Sequence, residues 1–309
     1  MKIYSSLSQL IGRTPLLRAE KYARENGLGA EILIKIESFN PAGSIKDRVA
    51  LNMIDRAEQA GILKEGATII EPTSGNTGIG ICAIAAARGY RAIIVMPDTM
   101  SVERQTLMRA YGAEVVLTDG KLGMAGAVSH AEKLRSEIPG AFIPGQFENP
   151  SNPEAHYLTT GPEIWDDTDG NVDIFVSSVG TGGTITGTGR YLKKKKPGIK
   201  VVAVEPASSP LLSEGHAGPH KIQGIGSNFV PSILDTDIYD EIIKVTDEGA
   251  YEEAAALVKT EGILAGISSG AALRAARELA LRPENRGKSI VVILPDAGDR
   301  YLSTPNFLK

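Results

Sequence analysis

Short runs of aliphatic and β-branched residues alternate along the chain with stretches whose apolar positions recur every three or four residues. The runs read as strands at 32–37, 68–71, 92–96, 114–117, 174–179, 201–205 and 290–294. Helices lie between most of them. From 44 to 61 the apolar Val49, Ala50, Met53, Ile54 and Ala57 fall on one helical face, while 101–111 opens on Ser101 and 250–261 follows Asp247-Glu248-Gly249, so each has a cap candidate near its start. Strand and helix in alternation predict an α/β fold, with mostly parallel sheets covered by helices. The Pro/Asn-rich stretch Gln146-Phe147-Glu148-Asn149-Pro150-Ser151-Asn152-Pro153 splits the pattern into two blocks, and a domain junction is expected near it. A cleft between two such domains is a usual place for a small ligand.

One lysine stands at a strand-to-helix junction, in Asn40-Pro41-Ala42-Gly43-Ser44-Ile45-Lys46-Asp47-Arg48. Pro41 and Gly43 break the strand, Ser44 is placed to cap the next turn, and Asp47 sits where a capping-box acid would. Lys46 then projects from the first helical turn. The positive end of a helix dipole disfavours a second cation, which favours the neutral amine, and a neutral amine can form a Schiff base with a carbonyl cofactor. Taken alone, Lys46 would more often be a surface residue pairing with Asp47 or Glu37, since exposure is the common state of lysine.

Two glycine turns change that weighting. Glu71-Pro72-Thr73-Ser74-Gly75-Asn76-Thr77-Gly78 follows a strand and opens a helix, and its hydroxyls, amide and backbone donors suit a carboxylate. Val179-Gly180-Thr181-Gly182-Gly183-Thr184-Ile185-Thr186-Gly187 is also strand, turn and helix, and the amides of Gly182, Gly183 and Thr184 could ring a phosphate. Either turn alone is often only structural. Together with Lys46 they match a cofactor carrying an aldehyde and a phosphate, acting on a substrate carrying an amine and a carboxylate; this is pyridoxal phosphate chemistry on an amino acid. A dinucleotide site is the rival, because Glu205 ends the next strand where a ribose-binding acid would stand. The fingerprint fails at Ile185, where the third glycine should be, and neither turn continues as a P-loop. A third element, Gly266-Ile267-Ser268-Ser269-Gly270, caps a helix, and serine needs no ligand to justify that place.

The chain has 309 residues, 42% apolar and 23% charged, enough for two cores. A net charge of -4 gives no basic surface for nucleic acid, and the run Lys193 to Lys196 has the usual place of cations at a helix C-terminus. The N-terminus Met1-Lys2-Ile3-Tyr4-Ser5-Ser6 has no apolar leader region and no stretch has transmembrane length, so a cytoplasmic protein with no membrane partner is expected. Cys82 is the single cysteine and lies in an apolar helix, which makes it a core residue. His130, His156, His216 and His220 are scattered without ligand spacing, and no metal site is expected.

In this order, Lys46, the TSGNTG loop and the GTGGT loop resemble those of the cysteine synthases, or O-acetylserine sulfhydrylases, of the β-family of pyridoxal-phosphate enzymes. The likeness covers almost the whole chain: IGRTPL at 11–16, NPAGSIKDR, EPTSGNTGIG, QFENPSNPEAHY, GTGGTITG, IQGIG at 222–226, GISSG, and RYLST at 300–304. The resemblance implies the fold type II architecture, similar to the tryptophan synthase β chain. A smaller domain at 39–150 would move on substrate binding, and a larger one, 1–38 plus 151–309, would hold the phosphate of pyridoxal 5'-phosphate.

Residue by residue, the resemblance makes Lys46 the Schiff-base lysine and the base at the substrate Cα. Asn76 is similar to the residue bonding the cofactor's ring hydroxyl, and Gly180, Thr181, Gly182, Gly183 and Thr184 are similar to the phosphate cup. Ser268 corresponds to the serine facing the pyridine nitrogen, with Ser269 beside it as an alternative. A neutral hydroxyl there should leave the nitrogen largely unprotonated. Thr73, Ser74, Asn76, Thr77 and Gln146 resemble the groups that bind the substrate α-carboxylate, and Gly224 to Gly226 look like a loop lining the same cleft. The implied reaction converts O-acetyl-L-serine and sulfide to L-cysteine and acetate by way of α-aminoacrylate. The alternatives within the fold are a thiosulfate-using cysteine synthase and a cystathionine β-synthase. TSGNTG differs from the asparagine loop typical of the dehydratases, and Pro295-Asp296-Ala297-Gly298-Asp299-Arg300 departs from relatives that carry serine before the glycine and Glu after it. The resemblance also implies a homodimer and a possible partner, the C-terminal tail of serine acetyltransferase, docking in the active site.

Overall fold

The computed structural model describes residues 3–308; Met1 and Lys2 of the N-terminal stretch, and Lys309, lie outside the described residues. In chain order the strands are β1 Leu16–Arg18, β2 Glu31–Ile36, β3 Thr68–Pro72, β4 Arg91–Pro97, β5 Glu114–Thr118, β6 Ile174–Ser178, β7 Lys200–Pro206, β8 Glu241–Val245 and β9 Ser289–Leu294. The helices are α1 Glu20–Glu25, α2 Lys46–Gln59, α3 Asn76–Arg88, α4 Val102–Ala110, α5 Gly123–Glu137, α6 Ser151–Ala155, α7 Gly161–Asp167, α8 Gly183–Lys195, α9 Leu211–Glu214, α10 Asp247–Glu261 and α11 Ile267–Leu281. A π-helical turn, His156–Thr160, joins α6 to α7. None of these helices is long and apolar enough to cross a membrane.

The chain forms two compact units. One comprises the described part of Met1–Ile11 with Asn40–Asn152, and the other Gly12–Phe39 with the described part of Pro153–Lys309. In the first, β3, β4 and β5 make a parallel sheet in that order. Its strands alternate. Ile69, Ile94 and Met96 face a core built from Val49, Met53 and Ile54 of α2 and Ile79, Ile81 and Cys82 of α3. Ile70, Ile93 and Val95 face the other way, onto Ala127 and Ala131 of α5. A sheet covered on both faces explains why these strands read as nearly continuous apolar runs.

In the second unit six strands run in the order β1-β2-β9-β6-β7-β8. Only β1 is antiparallel to its neighbour. Ile34, Val292, Val176 and Val202 share one face with Ala271, Leu273, Ala275 and Ala276 of α11 and Ala250, Ala254 and Leu257 of α10. Small residues let these two helices approach closely: a Cβ on Gly270 would lie 2.0 Å from the Ala250 carbonyl oxygen.

All seven expected strands form. Two others, β1 and β8, escape the apolar-run criterion because they are sheet edges. The three residues of β1 are half-buried or exposed, and β8 buries only Ile243 and Val245. The 250–261 helix begins earlier than its apolar pattern suggests, at Asp247, with the Thr246 hydroxyl accepting from the Gly249 amide at 3.1 Å. Asp247 and Glu248 thus occupy the first turn, where the dipole favours acids. The lysine run closes α8, with Lys193 on Asp240 at 2.8 Å and Lys196 on Asp173 at 2.7 Å.

Candidate active site

In the first unit the site begins at the N-terminus of α2. Gly43, at φ +80°, turns the chain, and its amide donates to the Asn40 carbonyl at 2.8 Å. The capping expected around Ser44 takes a different form. Helix α2 starts at Lys46, two residues after the expected cap; the Ser44 hydroxyl accepts from the Lys46 amide at 3.2 Å. The Asp47 carboxylate reaches past Ser44 to the Ala42 amide at 2.6 Å, with the Ser44 hydroxyl at 3.5 Å. Lys46 is therefore the first residue of its helix, and the acid beside it is already engaged with the preceding turn.

Helix α3 packs against this N-terminus through a glycine. A Cβ on Gly80 would lie 3.2 Å from the Lys46 carbonyl oxygen and 3.3 Å from the Asp47 Cα. The same helix opens on the Thr73–Thr77 loop, so lysine and loop sit in one rigid element pair. Thr73 accepts from the Gly75 amide at 3.3 Å, and Arg104 of α4 donates to the Ser74 carbonyl at 3.3 Å. Gln146 then bridges the loop: its carbonyl accepts from the Thr77 hydroxyl at 2.5 Å and its amide donates to the Thr73 hydroxyl at 3.4 Å. Thr73, Thr77 and Gln146, which are 69 and 73 residues apart across those two bonds, form one buried polar cluster. Ser74 and Asn76 lie half-buried in the same loop.

Under this cluster lies Glu71, on β3 and 1% exposed. It accepts the amides of Gly145 at 3.0 Å and Gln146 at 3.4 Å. Burial pushes its carboxyl up to about 7, against the pull of those two amides. Cys82, on the inner face of α3, has its thiol pushed up to about 12 by burial, which leaves it a hydrophobic core residue.

In the second unit β6 runs into the turn 179–182 and α8. Gly182, at φ +82°, is the N-cap of α8 and offers no side chain to the helix's first amides. The Gly183 amide donates to the Thr181 hydroxyl at 3.3 Å. Side chains are sterically barred here. A Cβ on Gly180 would lie 2.5 Å from the Gly224 carbonyl oxygen, and one on Gly182 would lie 2.7 Å from the Leu234 Cβ. Such a turn at the start of a thirteen-residue helix fits a phosphate by donor set, dipole and clearance.

The loop 224–227 is tied to this turn. Gly226 donates to the Val179 carbonyl at 3.0 Å, Ser227 to the Gly180 carbonyl at 3.2 Å, and His220 Nε2 to the Gly226 carbonyl at 3.1 Å. Ser268 borders it, with its Oγ 3.9 Å from where a Gly224 Cβ would be. The capping role expected of the serines in GISSG is corrected: Gly266 is the N-cap of α11, and Ser268 and Ser269 lie within its first turn without a side-chain cap. Gly266 takes that place because a Cβ there would meet Asp296 Oδ1 at 2.1 Å. The buried Ser269 hydroxyl has no hydrogen-bond partner among the described residues.

His156 has a place that its spacing could not reveal. It is fully buried in the π-helical turn, with Nδ1 2.9 Å from the Thr160 hydroxyl and Nε2 3.2 Å from the hydroxyl of Thr184 in the first turn of α8. Its partner is 28 residues away, so no local pattern marks it. Glu71 was legible only as part of a loop, because a single buried carboxylate under a loop carries no sequence signal.

A family model described as pyridoxal-phosphate dependent enzyme matches residues 7–296. The chain belongs to that family, and pyridoxal 5'-phosphate is its cofactor. Its relatives narrow the class to the cysteine synthases of fold type II. The cysteine synthase of Staphylococcus aureus is 52% identical over 305 residues, covering 98% of this chain and 97% of its own. The crystal structure of cysteine synthase from Entamoeba histolytica superimposes with a TM-score of 0.96 at 50% identity, over 99% of this chain and 91% of its own. A hydrogen sulfide-producing enzyme from Fusobacterium nucleatum gives a TM-score of 0.92 at 47% identity, over 97% of this chain and all of its own.

Proposed function

We propose that this enzyme replaces the acetyl ester of O-acetyl-L-serine with sulfide, yielding L-cysteine and acetate. The observation that carries this reading is the packing, within one unit, of Lys46 at the start of α2 against the helix whose opening loop holds Thr73, Thr77 and Gln146. An amine for covalent chemistry and a polar pocket for a carboxylate are thereby fixed on one scaffold, as an amino-acid substrate requires.

When bound, pyridoxal 5'-phosphate supplies an electron sink for the pair left at Cα. Lys46 would hold it through its ε-amine. The backbone amides at the start of α8, with Gly180, Thr181, Gly182, Gly183 and Thr184, would hold its phosphate, and Asn76 its ring hydroxyl. Ser268 would face the pyridine nitrogen with a neutral hydroxyl, and so would not force that nitrogen into its protonated form. Thr73, Ser74, Asn76, Thr77 and Gln146 would bind the substrate α-carboxylate and orient the Cα proton toward Lys46. Lys46 would take that proton as a general base. Over the whole reaction the Cβ–O bond would break with loss of acetate, the sulfur of sulfide would bond to Cβ, and Lys46 would return a proton to Cα. Atoms balance: one acetate leaves and one hydrosulfide enters.

The protein is proposed to work as a homodimer in the cytoplasm. The C-terminal tail of serine acetyltransferase is proposed to compete with substrate, because a terminal carboxylate presents the group that the Thr73–Gln146 cluster suits. The test is an assay of purified holoenzyme with O-acetyl-L-serine and, separately, sulfide, thiosulfate and homocysteine, identifying the amino-acid product. Sulfide should give L-cysteine at the highest rate, tail peptide should inhibit it competitively, and Lys46→Ala should slow it by about 10³-fold. Cystathionine as the preferred product, or a faster reaction with thiosulfate, would overturn the donor assignment.

A further inference from the structure

We propose that Glu71 is a positioning residue for substrate binding: its carboxylate clamps the backbone at Gly145 and Gln146, so that the Gln146 side chain bridges Thr73 and Thr77 where the α-carboxylate binds. This rests on the reading of that cluster given above. The contacts form a chain without gaps. Glu71 Oε2 accepts from the Gly145 amide at 3.0 Å and Oε1 from the Gln146 amide at 3.4 Å. The other side of Gln146 is fixed by Asn152, whose amide donates to the Gln146 carbonyl at 2.8 Å. Gly145, at φ +68°, makes the sharp turn that presents both amides to one carboxylate. With its backbone held, Gln146 reaches the two threonine hydroxyls. Glu71 touches neither of them and acts through Gln146.

A buried carboxylate held by neutral amides is a costly way to fix a loop, since ionic groups normally enter the interior paired with a cation. Among the described residues no cation pairs with Glu71. The charged residues on the elements around β3 are engaged elsewhere: Arg88 of α3 with Asp55 and Glu58, Arg91 of β4 with Glu114, and Arg135 and Lys133 of α5 with Glu132 and Glu137. His130 of α5 is half-buried, and Glu148, following the clamped segment, is exposed. None of these charges contributes to the shift of Glu71, which arises from burial opposed by the two amides and brings the group to about 7. The clamp therefore titrates near neutrality. An ionised carboxylate accepts both amides, whereas protonation turns one oxygen into a donor that faces an N–H and releases it. Substrate affinity should fall as pH drops through that range.

The experiment compares wild-type holoenzyme with Glu71→Gln between pH 6 and 8.5. It reads KM and kcat for O-acetyl-L-serine, and the dissociation constant of L-serine from the change in cofactor absorbance. L-serine keeps the α-carboxylate and lacks the acetyl leaving group. At pH 8.5 the substitution should raise KM and the dissociation constant about tenfold, with kcat within about twofold. By pH 6 the gap should shrink to about twofold, because the wild type has then lost its own clamp. In a Gln146→Ala background Glu71→Gln should add no more than about twofold. Glu71→Asp keeps the charge and should show intermediate weakening that still depends on pH. A tenfold penalty at every pH, a parallel fall in kcat, full additivity with Gln146→Ala, or unchanged affinity at pH 8.5 would each overturn the proposal. A wild type that neither binds L-serine nor turns over O-acetyl-L-serine would instead remove the proposed function, and the positioning role with it.

Discussion

The role proposed for Lys46 rests on what surrounds its backbone. Its nearest acid, Asp47, is turned toward the Ala42 amide and the Ser44 hydroxyl, and its peptide carbonyl abuts Gly80 of α3. Glu71 makes a separate prediction about stability. Its folded-state carboxyl lies at about 7, above the 4.5 of a free glutamate carboxyl. Between those values the folded chain keeps a proton that the unfolded chain has lost, so stability falls as pH rises through the window and levels off above it. The contribution is on the order of 3 kcal/mol. Urea unfolding of Glu71→Gln should therefore show a smaller loss of stability than the wild type between pH 5 and pH 8, by about 2–3 kcal/mol. Equal losses in the two proteins would contradict the assignment of the shift to this carboxyl.

At the scale of elements, two of the helices in the proposed site have glycine at the N-cap and so no cap from that residue's side chain. Helix α8 starts at bare Gly182 and α11 at Gly266, while α4 and α10, which carry no assigned site residue, are capped by Ser101 and Thr246. Helix α8 is also pinned from behind. A Cβ on Gly187 would lie 2.0 Å from the Pro153 carbonyl oxygen and 2.9 Å from the His156 Cβ. Alanine normally favours a helix interior over glycine by about 1 kcal/mol. Here Gly187→Ala should instead destabilise the protein by about 2–3 kcal/mol, because α8 or the π-helical turn must shift. A raised melting temperature for that variant would contradict this packing. The glycine turns at 73–78 and 180–184 were legible in sequence as strand-to-helix junctions because glycine and threonine between an apolar run and a helical pattern have few other meanings. The cap was misread at Ser268, since a serine near a helix start looks the same whether it precedes the first turn or lies inside it.

Across the whole molecule, parallel strands and helical cover follow from local periodicity, and the residues proposed for the site lie in short contiguous motifs that locality can reveal. The links that periodicity does not encode are long-range: Glu71 to Gly145, Thr77 to Gln146 and Thr184 to His156, separated by 74, 69 and 28 residues. They depend on which strand end meets which loop, a property of sheet order. The edge strands β1 and β8 were missed for the related reason that edges bury too little to leave an apolar run. The central claim, that one amine at the start of α2 holds the cofactor, is tested most directly by reducing the holoenzyme with borohydride and mapping the label by peptide mass spectrometry. The account predicts a pyridoxyl group on Lys46 and on no other lysine; an unlabelled Lys46, or a label on a different residue, would contradict it.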